Sequence, residues 1–410
     1  MSQAKPRAAE TLYLVCGLIA LTQVSWGLIV PVLPLYAKDF GASAFELGVV
    51  VSSFTVARLC INIPAGLMAD RFNRKLIILT GVGAVGGILL ITALVDSLWL
   101  LVMTRVLLGL AGGIVITVAQ SLLADITEGG ARGKAMATLQ AFQLAGTSVG
   151  PALGGIAAGV FGPRAAFVVG GAVALGMGAV ALIRMPATPV LRPDDDLSGA
   201  ERTNAPSARR SAWVMFRDRS FIAACVTAFG VFFARFGGMQ TLVALIAYRA
   251  AVGLSSSTFG ITLGALAVLN IGMVPIVGRV SESSRKVPIV IAMLMTAVGY
   301  VGMSMVNGLA LFFVAIVFIG LANGFSGSVP AAYCADILPA SLRGHGIGIY
   351  RTFGDFGGLV GPIVVGALVD GWSTGVAAAV VAAISGAIAL AFAVSARETV
   401  GRRATHRLIF

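Results

Sequence analysis

The chain has 410 residues and a formal net charge of +12; 58% of the residues are hydrophobic, 11% are charged and 52 are glycine. Soluble domains carry about 25% charged residues, so a mean hydropathy of +0.96 over 41.8 kDa excludes a water-soluble protein, a disordered chain, a collagen and a disulfide-built scaffold. What remains is a polytopic membrane protein, in which a pI near 10.2 needs an explanation other than nucleic acid.

The opening MSQAKPRAAE is short and polar. The apolar run after it, at 11–37, is too long for the core of a signal peptide and is read as a first transmembrane helix. Further runs fall at 47–69, 76–95, 98–124, 135–160 and 165–184. A Pro-, Arg-, Asp- and Ser-rich stretch at 185–218 reads as a polar linker. A second set follows at 219–249, 256–280, 287–305, 309–335, 344–369 and 373–396. Each run is long enough to cross a ~30 Å hydrocarbon core at about 1.5 Å per residue. The runs do not alternate as barrel strands must, and a segment in lipid has to satisfy its own backbone, so they are helices. The expected fold is an all-α integral membrane protein with twelve transmembrane helices in two pseudo-symmetric six-helix bundles. Residues 1–184 form the first bundle, 185–218 a cytoplasmic linker, and 219–410 the second bundle with a cytoplasmic tail.

The two halves are related. At an offset of 211, Gly109-Leu110-Ala111 matches Gly320-Leu321-Ala322, Ala124-Asp125-Ile126 matches Ala335-Asp336-Ile337, Arg132-Gly133 matches Arg343-Gly344, and Gly150-Pro151 matches Gly361-Pro362. At 212, Gly48 pairs with Gly260, Gly66 with Gly278 and Asp70 with Glu282. Whole dipeptides agreeing at one offset point to a duplication. With the N-terminus inside, cytoplasmic segments carry 22 of the 29 Lys and Arg; the outer loops carry Lys38, Arg164 and Arg249, and four arginines lie in spans. The positive-inside rule therefore places both termini in the cytoplasm of a multi-pass protein of the plasma or bacterial inner membrane, and most of the basic excess is topology.

The second span runs into Gly66-Leu-Met-Ala-Asp70-Arg71-Phe-Asn-Arg74-Lys75, and the second half carries a degenerate copy ending in Glu282, Arg285 and Lys286. This resembles the GxxxDRxGR[KR] loop signature of the major facilitator superfamily. Asn73 stands where that signature has glycine, and asparagine also tolerates a left-handed conformation. Gly66 is expected to permit close helix approach. The charges Asp70, Arg71, Arg74, Lys75 and Glu282, with Asp125-x6-Arg132 and its repeat Asp336-x6-Arg343, are expected to form gating locks that hold one conformer and break in the other. Pro31-Val32-Leu33-Pro34 and Gly146-xxx-Gly150-Pro151-xx-Gly154-Gly155 are similar to elements of the twelve-helix drug/proton antiporter branch. In the latter, small residues four apart allow backbones to touch and the proline bends the helix. The resemblance covers essentially the whole chain.

Two literal enzyme motifs are decoys. Gly81-Val-Gly83-Ala-Val-Gly86 lacks the soluble βαβ context of a dinucleotide site. Gly146-Thr-Ser148-Val-Gly150 would need the strand-turn-helix of a nucleophile elbow with histidine and acid partners, and the only histidines are the loop residue His345 and the tail residue His406. Cys16, Cys60, Cys225 and Cys334 lie in apolar runs without CxxC spacing and read as buried small hydrophobes. No enzyme, metal or cofactor is expected.

Polar residues inside the spans carry the functional signal. A mid-span charge costs about 2.5–3.5 kcal/mol on insertion scales, so Arg58, Arg105, Arg235 and Arg351 must meet water, partners or ligand. By the repeat, Gln23 pairs with Arg235, Arg58 with Asn270 and Gln140 with Arg351, which points to a shared cavity. Gln143, Asn323, Gln120 and Asn62 are further candidates for it; Trp26 could stack on ligand or simply pack. Arg105 resembles an arginine frequent in the antiporter branch. Asp355 is read as a proton-coupling carboxylate, or as a structural partner of Arg351 four residues earlier.

The expected function is secondary active transport by alternating access. The resemblance implies proton-coupled efflux of amphiphilic or drug-like molecules. The excess of cavity arginines keeps open a carrier of an organic anion or anionic lipid, and a non-transporting receptor is the competing class. Expected partners are a small-molecule substrate, protons and membrane lipid, with no nucleic acid, and the protein is expected to be a monomer.

Overall fold

The computed structural model describes residues 4–127, 132–185, 215–326, 329–339 and 342–400. Apart from Met185 and 215–218, the expected linker lies outside these residues. Among the described residues twelve helical spans are long and apolar enough to cross a membrane, and no strand is present. In chain order the helices are α1 Ala4–Ile29, α2 Leu33–Asp39, α3 Ala44–Arg71, α4 Arg74–Ala93, α5 Leu98–Ile126, α6 Arg132–Phe161 and α7 Pro163–Arg184. The second half has α8 Arg219–Phe232, a π-helical segment Phe233–Val243, α9 Ala244–Ala247, α10 Ser256–Ser283, α11 Lys286–Ser304, α12 Leu309–Ser326, α13 Val329–Ile337, α14 Arg343–Gly371 and α15 Thr374–Ser395.

Local chemistry explains the departures from the expected runs. The first run is not one helix: Pro31 supplies no N–H, the chain turns through Val30–Val32 with bonds back to Gly27 and Ile29, and α2 restarts with Pro34 in its first turn. Asn73 is not left-handed. At φ −62° its side chain accepts from the backbone N–H of Lys75 and Leu76 and caps α4, the ordinary use of asparagine at a helix start. Cys16, Cys225 and Cys334 are buried as expected, whereas Cys60 is exposed. On a transmembrane helix the outward face meets lipid, which is as apolar as the core, so a hydrophobic run does not by itself fix burial.

The described chain forms two compact units. Unit 1 comprises Met1–Ala42, Ser53–Ser198 and Leu254–Ala267; unit 2 comprises Ser43–Ser52, Gly199–Gly253 and Val268–Phe410. In unit 1 the α6 glycines lie on the α1 backbone. A Cβ added at Gly146, Gly150 or Gly154 would stand 2.2 Å from the Ala20 oxygen, 2.7 Å from the Gly27 Cα or 2.0 Å from the Leu28 oxygen. Gly155, on another face of α6, meets Gly260 of α10, where an added Cβ would lie 2.7 Å from the Gly260 Cα. Pro151 lies inside α6.

Unit 2 repeats this packing. Gly357 and Gly361 of α14 lie on Phe229 and on Phe233 and Gly237, with an added Cβ at 357 only 2.1 Å from the Phe229 oxygen. Gly366 meets Ala44, and Gly48 meets Pro362. Gly146, Gly150 and Gly155 are 211 residues before Gly357, Gly361 and Gly366. The prolines inside long helices obey the same offset, Pro64 with Pro275 and Pro151 with Pro362. The expected role of Gly66 is not borne out: an added Cβ at Gly66, or at its repeat Gly278, meets nothing within 4 Å.

Candidate functional site

Among the described residues only two charged side chains are buried, Arg105 at 3% and Asp355 at 8% exposure. Arg105 is placed by a close helix contact. Four residues on, Gly109 rests on α3, where an added Cβ would lie 2.4 Å from the Phe54 carbonyl oxygen. That approach brings the Phe54 ring beneath the guanidinium, 5.1 Å from ring centroid to its central carbon. The half-buried Trp26 lies beside Phe54, with ring centroids 5.9 Å apart. Arg105 Nε and Nη1 are buried and make no hydrogen bond. A cation over an aromatic face recovers about 0.5–2 kcal/mol, less than the ~2.5–3.5 kcal/mol that even a lenient insertion scale assigns to a charge at mid-span.

The remaining polar candidates divide between the units. In unit 1, Gln23, Arg58, Asn62, Gln120 and Gln143 are half-buried, and the Gln23 Cβ packs against Gly146. In unit 2, Asn270 and Asn323 are half-buried, and Arg235 and Arg351 are exposed, meaning open to whatever surrounds the protein. Asn270 Oδ1 is buried without a hydrogen-bond partner. Asp355 and Arg351 share α14 but differ in setting, one buried and one exposed. The side chains of Gln140, Asp70, Asp125, Arg132 and Arg343 lie outside the described residues. A groove of about 160 Å³ on the α8–α15 flank, lined by Arg219, Ile222, Val226, Ile388 and Ala391 among others, takes in none of the predicted cavity residues.

Arg235 sits in the π-helical segment, which sequence reading missed. Thr241 Oγ1 donates to the Phe236 carbonyl at 3.1 Å, and the buried Tyr300 hydroxyl donates to that of Ala234 at 2.9 Å, over Gly238. These side chains satisfy carbonyls within the segment, and such segments recur at functional sites. The signal in the sequence was the Gly237-Gly238 pair: Gly238 allows the Tyr300 ring to approach the backbone, and Gly237 lies on Gly361 of α14.

At the loop ends assigned above to the cytoplasm, Arg285 Nε pairs with Asp336 Oδ2 at 3.0 Å and Arg285 Nη1 donates to Ser281. Glu282 and Arg71 are exposed. A carboxylate that sequence reading missed, Glu398, accepts from the backbone N–H of Arg285 at 2.8 Å and Lys286 at 3.3 Å, and from the Ser284 hydroxyl. Burial pushes this carboxyl upward, but hydrogen bonds from Ser284, Arg285, Thr399 and Val400 outweigh it and hold the group below the ordinary carboxylate range. Arg397 beside it pairs with Asp218 at 3.0 Å. In unit 1, Arg74 Nε donates to the Ala69 carbonyl at 2.9 Å and Lys75 Nζ donates to that of Met185. Each half thus ties the loop after its second span to the chain just past its sixth. At the opposite helix ends of unit 2, the Asp370 carboxylate accepts from Ala44 N at 3.0 Å and Phe45 N at 2.8 Å, capping α3. Nothing local in the sequence marks Asp370 or Glu398, because each acts on a helix start more than a hundred residues away.

The model of the Major Facilitator Superfamily matches residues 15–283 and 227–407. The chain is 26% identical to the quinolone resistance protein NorA of Staphylococcus aureus (strain MRSA252), over 84% of this chain and 86% of that protein. It is 21% identical to the uncharacterized MFS-type transporter MJ1560 of Methanocaldococcus jannaschii, over 85% and 88%. In fold it is similar to a bacterial homologue of the human lysosomal transporter Spinster in an inward-facing, unoccupied conformation, with a TM-score of 0.76, 17% identity and 96% of each chain covered. The nucleoside transporter NupG aligns with a TM-score of 0.73 at 14% identity, over 93% of this chain and 98% of that one.

Proposed function

The chain belongs to the major facilitator superfamily, and from that premise we propose that it exports amphiphilic, drug-like solutes across the cell membrane in exchange for protons. The observation that carries the reading is Asp355. It is the one buried acid among the described residues, and a buried carboxyl that can lose and regain a proton is the part a coupled exchanger needs. Similarity to a quinolone resistance protein supports the efflux direction and the solute class.

In this reading both termini face the cytoplasm. The two halves of the chain move against one another and expose the substrate residues to each side in turn. Asp355 accepts a proton in one state and releases it in the other. The Arg285–Asp336 pair and the Glu398 carboxylate, all within unit 2, hold its cytoplasmic loop ends in place through the motion. The glycines of α6 and α14 carry tight helix contacts, so that each bundle moves as a rigid body. The protein acts as a monomer.

The test is transport in proteoliposomes by wild type and Asp355→Asn, with and without an imposed pH gradient. Wild-type flux rises with the gradient, and the Asn variant binds solute but no longer responds to it. An unchanged pH response in the variant removes Asp355 from coupling. Absence of flux for any solute favours the receptor reading.

A further inference from the structure

We infer that Arg105, with Phe54 and Trp26, forms an anion-receiving subsite in unit 1, and that the solute it takes is an amphiphilic organic anion. The inference rests on the transporter reading and narrows its substrate class.

A guanidinium stays charged at any physiological pH, so burial at 3% exposure demands a compensating group. Among its described residues unit 1 does not supply an acid or an acceptor for it. Its membrane spans, Thr11–Ile29, residues 53–62, Arg74–Ala93, Leu98–Leu123, Ala141–Phe161, Pro163–Arg184 and residues 256–267, contain no Asp or Glu. No backbone carbonyl or side-chain oxygen takes up Nε or Nη1. Phe54 lies against one face of the guanidinium and leaves in-plane N–H groups without acceptors.

Those donors are desolvated before any ligand arrives. A carboxylate, sulfonate or phosphate meeting them gains charge-assisted hydrogen bonds in a low-dielectric setting, whereas a cation meets like charge. The adjoining Phe54 and Trp26 rings offer apolar, stackable surface to the body of the same molecule. Anionic head on Arg105 and aromatic or aliphatic body on the ring pair define the class.

The experiment measures equilibrium binding to the purified full-length protein with a matched set of probes: 2-naphthoate, its uncharged isostere 2-naphthamide, and chloride as competitor. Wild type is expected to bind naphthoate at least tenfold more tightly than the amide. Arg105→Gln removes that preference while amide affinity changes less than twofold, and Arg105→Lys keeps part of it, since lysine offers charge without the planar set of donors. Equal wild-type affinity for naphthoate and amide overturns the inference, and this comparison needs no variant to fold. So does a loss of both affinities alike in Arg105→Gln, which marks a structural role. So does a naphthoate affinity no better than that of chloride, which marks an inorganic counter-ion. Because binding is read without flux, a failed transport assay leaves this result standing. Flux of cations alone would sink the subsite but not the transporter.

Discussion

Gly154→Ala tests the scaffold on which the site is built. The new methyl carbon would stand 2.0 Å from the Leu28 carbonyl oxygen and 2.6 Å from Leu28 C and Cα. All three are backbone atoms of α1, so no side-chain rotation relieves the contact. Ordinary heavy-atom contact is about 3.5–4.0 Å, so α1 and α6 must part by roughly 1.5 Å. Overpacking of this kind costs about 1–3 kcal/mol. Gly357→Ala makes the equivalent demand in unit 2, 2.1 Å from the Phe229 oxygen, and should cost a similar amount. Gly83 and Gly66 are the controls, since an added Cβ meets nothing within 4 Å at either. Alanine there should be neutral or stabilise by up to about 1 kcal/mol through helix propensity. Thermal unfolding of the detergent-purified protein, followed by loss of the monodisperse species, reads all four. If Gly154→Ala unfolds at the same temperature as Gly83→Ala, α1 and α6 do not touch backbone to backbone and the reasoning fails.

Two further outcomes follow from single side chains. Glu398→Gln should lower stability by about 1–2 kcal/mol at neutral pH, the low end for bonds to a charged acceptor because the group is only partly buried. The carboxyl is held below its ordinary range, so its contribution is present above the unfolded value and is lost as pH falls through the folded one. Wild type should therefore lose its advantage over Glu398→Gln on acidification, and a constant gap between their melting temperatures from pH 7 to pH 3 would contradict the assignment. Tyr300→Phe strips the donor from the buried Ala234 carbonyl at a cost of about 1–3 kcal/mol. Hydrogen exchange should accelerate across Phe233–Val243, and unchanged exchange there would show that the hydroxyl does not hold the π segment.

How much of this was legible depended on whether the cause was local. Twelve spans and the duplication could be read directly, because hydropathy over about twenty residues and a fixed offset are properties of the chain alone. The packing of Gly146, Gly150 and Gly154 was legible because spacing by four places residues on one helix face. Gly66 misled for the same reason: its motif is a chain property, but whether anything approaches it is not. The cap at Asn73 was hidden by a conformational argument that overlooked the side-chain oxygen. Asp370 and Glu398 were invisible, since a lone acid at the end of a span becomes a cap only when tertiary structure delivers a helix start to it. For Arg105 the sequence marked a costly charge, and only the structure revealed that it lacks a hydrogen-bond partner.

The duplication is kept in packing and in the loop charges, as at Asp125 and Asp336, and is abandoned at the buried charges. Gly146, Gly150, Pro151 and Gly155 recur as Gly357, Gly361, Pro362 and Gly366, with matching backbone contacts. At the same offset Arg105 corresponds to Ile316 and Asp355 to Leu144. Neither buried charge therefore has a charged counterpart in the other half; one lies in unit 1 and one in unit 2. Packing constrains both halves equally, because a bundle whose helices cannot touch is unstable whichever half it belongs to. Chemistry does not: a second buried arginine or carboxylate would add another desolvation cost of several kcal/mol without adding a step. Retained glycines beside lost charges are what a duplicated transporter should show when its scaffold serves both halves and each chemical task is done once. That division sets an order for mutagenesis. Replacements at the glycines should damage folding in either half alike, whereas replacements at Arg105 and Asp355 should damage different functions, solute selection at one and coupling at the other.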